Sequence, residues 1–268
     1  MLISMMEMAA QVQKGKYAVG AFHAMNLEQT QGIIEAAVEE RSPVIIALDE
    51  QAVMYAGLGA FLSMTRELAE DVPVSVSVLL DHVRDPVLVE KALAKGYTGI
   101  LADLGDTDYE QAANMIVNAR KLCAEQSAFF EVGIGVHGMN QKAALEAIKS
   151  IGDGLAPDSF SLSIGAEQKQ APLPELLELI KQISNLTDRI SLAGAGSWPV
   201  DDQRYAVGLG IWKISVGTRI NMAFTKGLKT YLEQNPDRVH PRSYLASARD
   251  SLGADVRECI RSFRTYTL

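Results

Sequence analysis

The chain is poor in the features that mark several protein classes. It has 2 cysteines in 268 residues. Cys123 and Cys259 sit far apart in stretches of helical periodicity, so free, buried thiols in a reducing compartment are expected rather than a disulfide framework or a cysteine metal site. No apolar run approaches the roughly 18 to 20 residues that span a bilayer. The opening stretch MLISMMEMAAQVQKGK lacks a leading positive charge and holds Glu7 inside its apolar part, so it reads as an amphipathic helix and not as a secretory signal. Basic residues are in the minority: 25 Lys and Arg against 33 Asp and Glu give a net charge of −8. That balance leaves no footprint for nucleic acid or an anionic membrane. No linker rich in Pro, Gly or Ser divides the chain, and no G-x-G-x-x-G fingerprint follows the first apolar run. A cytoplasmic protein with a single domain over residues 1–268 is expected.

What the chain does have is alternation. Hydrophobic residues make up 48%, enough for a sizeable core. Short apolar, β-branched runs read as strands buried on both faces: Tyr17–Phe22, Val44–Leu48, Val74–Leu80, Thr98–Ala102, Ala128–Val132, Ser159–Ile164, Ile190–Ala193 and Trp212–Val216. Helical patterns separate them: Leu27–Glu40, Leu58–Ala69, Pro86–Lys95, Tyr109–Glu125, Gln141–Ile151, Leu173–Ile183, Val200–Leu209 and Arg219–Glu233. Pro86 and Pro199 stand where a first helical turn accepts proline. Eight strand–helix units predict a closed (β/α)₈ (TIM) barrel of the α/β class, with an open doubly wound sheet as the alternative. A further helix, from about Tyr244, adds a C-terminal element.

In such a barrel the chemistry comes from the C-terminal strand ends and the loops after them. The most informative of these is VPVSVSVLLDH, an apolar run that stops abruptly at Asp81-His82. The other ends offer His23 and Asn26, Asp49 and Glu50, Asp103 and Asp106, Glu131 and His137, Glu167 to Lys169, Gly194 to Ser197, and Ser215 to Arg219. Acidic groups dominate, accompanied by three of the four histidines, a set suited to proton transfer or a metal. The GAGS turn at Gly194–Ser197, beside SVGTR of the last strand, is placed where such barrels bind phosphate through backbone N–H groups.

These pieces carry a resemblance. YAVGAFHAMNLEQTQGIIEAAVEERSPVI, LLDH, GYTGILADLGDTDYEQ, LGIWKISVGTRINMAF and HPRSYL resemble the class II, metal-dependent ketose-bisphosphate aldolases, the fructose- and tagatose-bisphosphate aldolase family, almost from end to end. The resemblance implies a Zn²⁺ held by three histidines, an aspartate that handles a proton, and a homo-oligomer, dimer or tetramer, acting on a sugar phosphate. His82 matches the first zinc ligand and Asp81 the aspartate. Gln168, in GAEQKQ, and Ala193 stand at the other two histidine positions. Asp103 and Glu131 match secondary cation ligands. Gly194, Ser197, Ser215 and Thr218 fall on the phosphate site, with Ser197 one position beyond the family's serine. Asp49 replaces the family serine after the second strand, and Arg242 matches an arginine that reaches the far phosphate across a subunit boundary. One imidazole with an alanine and an amide is a poor zinc site, so no zinc at family-like affinity is expected.

Three functions compete on these residues. The first is an aldolase-like lyase with an altered site, in which Asp81 acts as acid–base, His82 polarises the carbonyl, and Lys169 forms a Schiff base in place of the metal. The second is a non-catalytic relative that binds a sugar phosphate or stabilises a partner subunit. The third is an unrelated reaction, such as isomerisation, on the same scaffold.

Overall fold

The computed structural model describes residues 1–15, 17–103, 109–136, 141–164, 174–187 and 189–263. Eight parallel strands close on themselves in chain order: β1 (Val19–His23), β2 (Val44–Leu48), β3 (Val76–Val83), β4 (Gly99–Asp103), β5 (Phe129–Gly135), β6 (Ser159–Ser163), β7 (Ile190–Ala193) and β8 (Ile211–Val216). Closure is through β8 and β1, where Val19 pairs with Lys213 and Ala21 with Ser215. The helices are α1 (Met5–Gly15), α2 (Leu27–Glu39), α3 (Glu50–Ala56), α4 (Leu58–Glu70), α5 (Pro86–Lys95), α6 (Tyr109–Glu125), α7 (Gln141–Leu155), α8 (Pro174–Ile183), α9 (Val200–Gly208), α10 (Thr218–Gln234) and α11 (Pro241–Ser262). Each strand expected from the sequence is present, so the closed barrel holds and the open sheet does not. Among the described residues no helix is long and apolar enough to cross a membrane. Both cysteines are free and buried.

Three differences from the sequence reading bear on the site. β3 does not stop at Leu80 but runs on through Asp81 and His82 to Val83. Its pairing with β4 slips between Leu80 and Val83, and His82 takes a positive φ of 54°. This is a bulge, the device by which a strand re-aims side chains at a barrel rim. The helix α3 was not anticipated. It is 7 residues long, with Asp49 as N-cap accepting from Ala52 N, too short for periodicity to reveal. The last helix begins at Pro241, earlier than Tyr244.

The interior of the barrel changes character from floor to mouth. At the N-terminal end, Met5, Met8 and Val12 of α1 plug the floor against Ile45, Leu79, Leu101 and Phe129. Gly99 is obligatory there, because a Cβ would lie 2.2 Å from Met5 Cγ. Above this plug sits a buried ion pair. Lys213 Nζ donates to Glu131 Oε2 at 2.6 Å, while Ser159 and Ser191 donate to Oε1 at 3.0 and 2.5 Å. Trp212 Nε1 donates to Ser159 Oγ at 2.9 Å. Both residues of the pair have no exposed surface, so neither charge has water to fall back on.

Outside the barrel, α10 and α11 form an antiparallel hairpin. Arg219 pairs with Asp255 and Glu258, and Gly227 lies against Ser247 and Ala248. Ion pairs Arg249–Glu35, Arg257–Glu39 and Arg261–Glu40 tie α11 to α2.

Removing one member of a buried ion pair leaves the other uncompensated, at a cost of about 3–5 kcal/mol. Glu131→Gln and Lys213→Met are therefore each expected to destabilise the fold by that order in urea unfolding. The double variant Glu131→Leu/Lys213→Met should recover much of the loss. Additive losses would show that the two charges do not support one another.

Candidate active site

At the C-terminal mouth the described residues assemble one compact polar cluster. Asp81, carried inward by the end of β3, is fully buried. His23, the last residue of β1, places Nε2 at 2.7 Å from Asp81 Oδ2. His82 places Nδ1 at 3.0 Å from Oδ1, in an alignment too poor for a full hydrogen bond, since Oδ1 has no well-directed donor. On the far side of His23, Asp49 Oδ2 lies 3.8 Å from Nδ1, an attraction between charges rather than a hydrogen bond. The order carboxylate, imidazole, carboxylate, imidazole runs across three strand ends.

Electrostatics follow from that order. Burial opposes charge on His23, but the carboxylates of Asp49 and Asp81 outweigh it and raise the imidazole to about 9. For His82 the adjoining Asp81 charge outweighs burial and also raises the pKa. Burial alone would push Asp81 up; the His82 charge and the His23 contact hold it well below the usual carboxylate range. Asp81 is a carboxylate held between two imidazoles, each biased toward its protonated form. Asp49 is lowered by the His23 imidazole beside it, with burial opposing and the α3 cap bond assisting.

The neighbourhood is organised around this cluster. Glu50 Oε1 accepts from Arg84 N at 2.7 Å and Asp85 N at 3.1 Å, which pins the loop leaving β3. Arg84 Nη2 donates to Asp103 Oδ2 at 3.1 Å. Gly217, the residue before α10, lies beside His23, where a Cβ would stand in ordinary contact at 3.4 Å from its Cγ. The N-terminus of α10, a region of partial positive charge, therefore opens beside the cluster.

The second region expected from the sequence is also assembled. Gly194 has φ 100°, and a Cβ there would lie 2.9 Å from Ile164 Cγ1, so the turn after β7 requires glycine on both counts. A 3-10 turn over Ala195–Ser197 follows. Gly196 packs on Val216, where a Cβ would be 2.8 Å from either methyl. Arg219 Nη1 donates to Gly196 O at 3.0 Å. The Gly194–Ser197 turn thus abuts Ser215–Thr218, with Ser197 and Thr218 exposed and Ser215 buried. Arg219 itself faces α11 and is not part of an anion cradle.

Other sequence candidates lie elsewhere. Glu131 is not with the mouth cluster: both its oxygens are taken by Lys213, Ser159 and Ser191. Arg242 is exposed in the first turn of α11, at the end of the hairpin away from Thr218. The 17 residues of α10 separate them by roughly 25 Å at 1.5 Å per residue. Asp106, His137, Glu167, Gln168 and Lys169 fall outside the described residues. The residue the sequence reading undervalued is His23. It stood among the strand-end groups, but nothing local in AFHAMN indicates that its ring meets Asp81, 58 positions away.

A (β/α)₈ barrel with an acid–base cluster at its mouth and a glycine turn beside a helix N-terminus defines an enzyme-like scaffold. The comparisons give it a family. The description Fructose-bisphosphate aldolase class-II matches residues 3–266, and this chain belongs to that family. The sulfofructosephosphate aldolase of Alkalicoccus urumqiensis is 32% identical, aligned over 98% of this chain and 99% of its own. The D-tagatose-1,6-bisphosphate aldolase subunit GatY of Klebsiella oxytoca is 31% identical over 97% and 96%. The YdjI aldolase of Escherichia coli K12 superposes with a TM-score of 0.83 at 23% identity, covering 100% and 99% of the two chains.

Of the three histidine positions that the resemblance implies for a zinc, the described residues fill one, with His82; Gln168 lies outside them. Ala193 ends β7 with a methyl group, which offers no ligand. His23, Asp81 and His82 bring donor atoms within 4.8 Å of one another. However, the 2.7 Å between His23 Nε2 and Asp81 Oδ2 is a hydrogen-bond spacing. Ligands at about 2.0–2.2 Å from a tetrahedral zinc stand well over 3 Å apart.

Two outcomes are expected. Elemental analysis after dialysis against a mild chelator should find far less than about one zinc per chain; retention of one zinc bound to His82 would contradict it. For His23, a pKa raised from 6.5 to about 9 stabilises the fold fully below pH 6.5, progressively less up to about 9, and not above. The stability gap between wild type and His23→Asn should follow that window, with the imidazole titrating near 9 in NMR. A gap that grows with pH would reverse the sign.

Proposed function

We propose that this chain is an aldolase-type lyase that cleaves and forms a carbon–carbon bond in a phosphorylated ketose or related sugar. The observation that carries the proposal is the buried Asp81 carboxylate between His23 and His82 at the barrel mouth. Retro-aldol cleavage takes a proton from the hydroxyl on one carbon. The electron pair of the breaking bond then moves onto the carbonyl of the other fragment, and a proton returns to the new carbanion centre. The cluster has parts for each event. His82 and His23 are 28% and 19% exposed, so they are the members a substrate reaches. The positive charge of His23 answers the developing enolate oxygen, and the His82 imidazole in its neutral form takes the hydroxyl proton while Asp81, with no exposed surface, stabilises the imidazolium that forms.

Sugar recognition has support of its own. The hydroxyls of Ser161, Ser163 and Ser215 are buried without partners. By register, Gly135 stands across from Ser163, Ser163 from Ala193, and Ala193 from Ser215. Small neighbours and unanswered hydroxyls suit a polyhydroxylated ligand. Its phosphate would meet the backbone N–H groups where Gly194–Ser197 adjoins Thr218. The distance of Arg242 from its own mouth supports the reading that it serves a neighbouring subunit of a homo-oligomer. The methyl of Ala193 favours a second reading, a non-catalytic relative that keeps only the sugar-phosphate site.

A retro-aldol assay in chelator, over fructose and tagatose bisphosphates and sulfofructose phosphate, separates the two. Cleavage is expected, falling about 10²- to 10⁴-fold in Asp81→Asn and His82→Asn. Borohydride trapping of substrate onto Lys169 would instead assign a Schiff base. Absence of cleavage, with dihydroxyacetone phosphate still shifting the amides of Gly194, Gly196 and Thr218, would favour the non-catalytic relative. Silence of those amides would remove the anion site.

A further inference from the structure

The opposite face of the barrel carries a cavity that the mouth chemistry does not use. It lies between α1, the residues entering β1 and β7, and the junction of α9 with β8, and its volume is about 400 Å³, within the range of small-molecule sites. Two of the lining residues carry buried donors without partners. The Tyr17 hydroxyl is buried and unbonded, and so is Nε of Arg189; Tyr17 is only 5% exposed. Burial pushes the phenol up to about 12, so it stays a donor at neutral pH. Arg189 is held in place from its other end, where Nη2 donates to Gln13 Oε1 at 3.2 Å. Among the described residues lining the cavity, Arg189 alone carries a formal charge. The remaining wall is apolar, from Val12, Val207 and Trp212, with Gly208 and Gly210 allowing close approach to the backbone.

We propose that this cavity is a binding site for a small organic anion, an acid head group on an apolar body. The head group, a carboxylate or a phosphate monoester, would accept from Arg189 Nε and the Tyr17 hydroxyl. Native proteins rarely leave buried donors unanswered, and two residues lining this cavity carry one each, one of them an arginine and the single charged residue among the described lining. A charged N–H donor strengthens the bond to an anionic acceptor. The body would stack against the Trp212 indole and the valine side chains. The site does not depend on the function proposed for the mouth, and it stands at the other end of the strands.

The test is a titration with benzoate and with phenyl phosphate at low ionic strength, followed by amide and indole NMR shifts. Reading Gly208, Gly210 and the Trp212 indole separately from Gly194 and Thr218 keeps this cavity distinct from the mouth. Saturable shifts at the first group are expected, weakened about tenfold or more in Arg189→Met and by a smaller factor in Tyr17→Phe. Tyr17→Phe removes only an unbonded hydroxyl, so it folds and keeps the test valid if Arg189→Met is unstable. Response to one probe alone supports the site and assigns its head group. No saturable shift at about 10 mM, or affinity unchanged in Tyr17→Phe and in folded Arg189→Met, would overturn it.

Discussion

A carboxylate sealed from water demands positive charge, and Asp81 makes that demand at the barrel mouth. The cost of leaving such a group alone is large enough to dictate its surroundings. One oxygen takes the imidazole of β1 and the other the imidazole that follows it in β3. To deliver His82 to its own neighbour the strand bulges and accepts a left-handed residue. To keep His23 in place Asp49 approaches from behind while it caps α3, and Gly217 lies beside the ring. Much of the geometry of the mouth follows from this one buried charge.

The interior as a whole is graded. A helix plug of methionine and valine closes the floor, a satisfied ion pair occupies the middle, and unsatisfied hydroxyls lead up to the charged cluster. A fully apolar interior would pack more simply, but it would offer nothing to a polar substrate. Within the barrel, Glu131 and Lys213 are satisfied by one another and by Ser159 and Ser191, while Ser161, Ser163 and Ser215 have hydroxyls without partners.

The strands were legible because apolar, β-branched runs flanked by helical periodicity admit few other readings. Asp81 and His82 were legible as polar groups at the barrel rim but not as strand, since polar residues after an apolar run look like the start of a loop. Only closure of the barrel gives a polar side chain on β3 an interior to point into. The helix α3 was hidden by its length, with Ala52 and Val53 its only buried residues. Glu131 shows the reverse difficulty: a carboxylate on a strand near other candidates looked like a cation ligand, and a lysine 82 positions later satisfies it.

By itself the sequence determined the fold class, the rim at which the polar residues gather, the glycine turn after β7, and membership in the class II fructose-bisphosphate aldolase family. Those properties are local, or depend on periodicity, and periodicity survives in one dimension. The tertiary structure alone decided that His23 meets Asp81, that Glu131 belongs to Lys213, that Arg242 lies at the far end of the α10–α11 hairpin from Thr218, and that Tyr17 and Arg189 share a cavity. Each is a pairing between side chains far apart in the chain, set by strand register and barrel stagger, and no spacing along the chain encodes it.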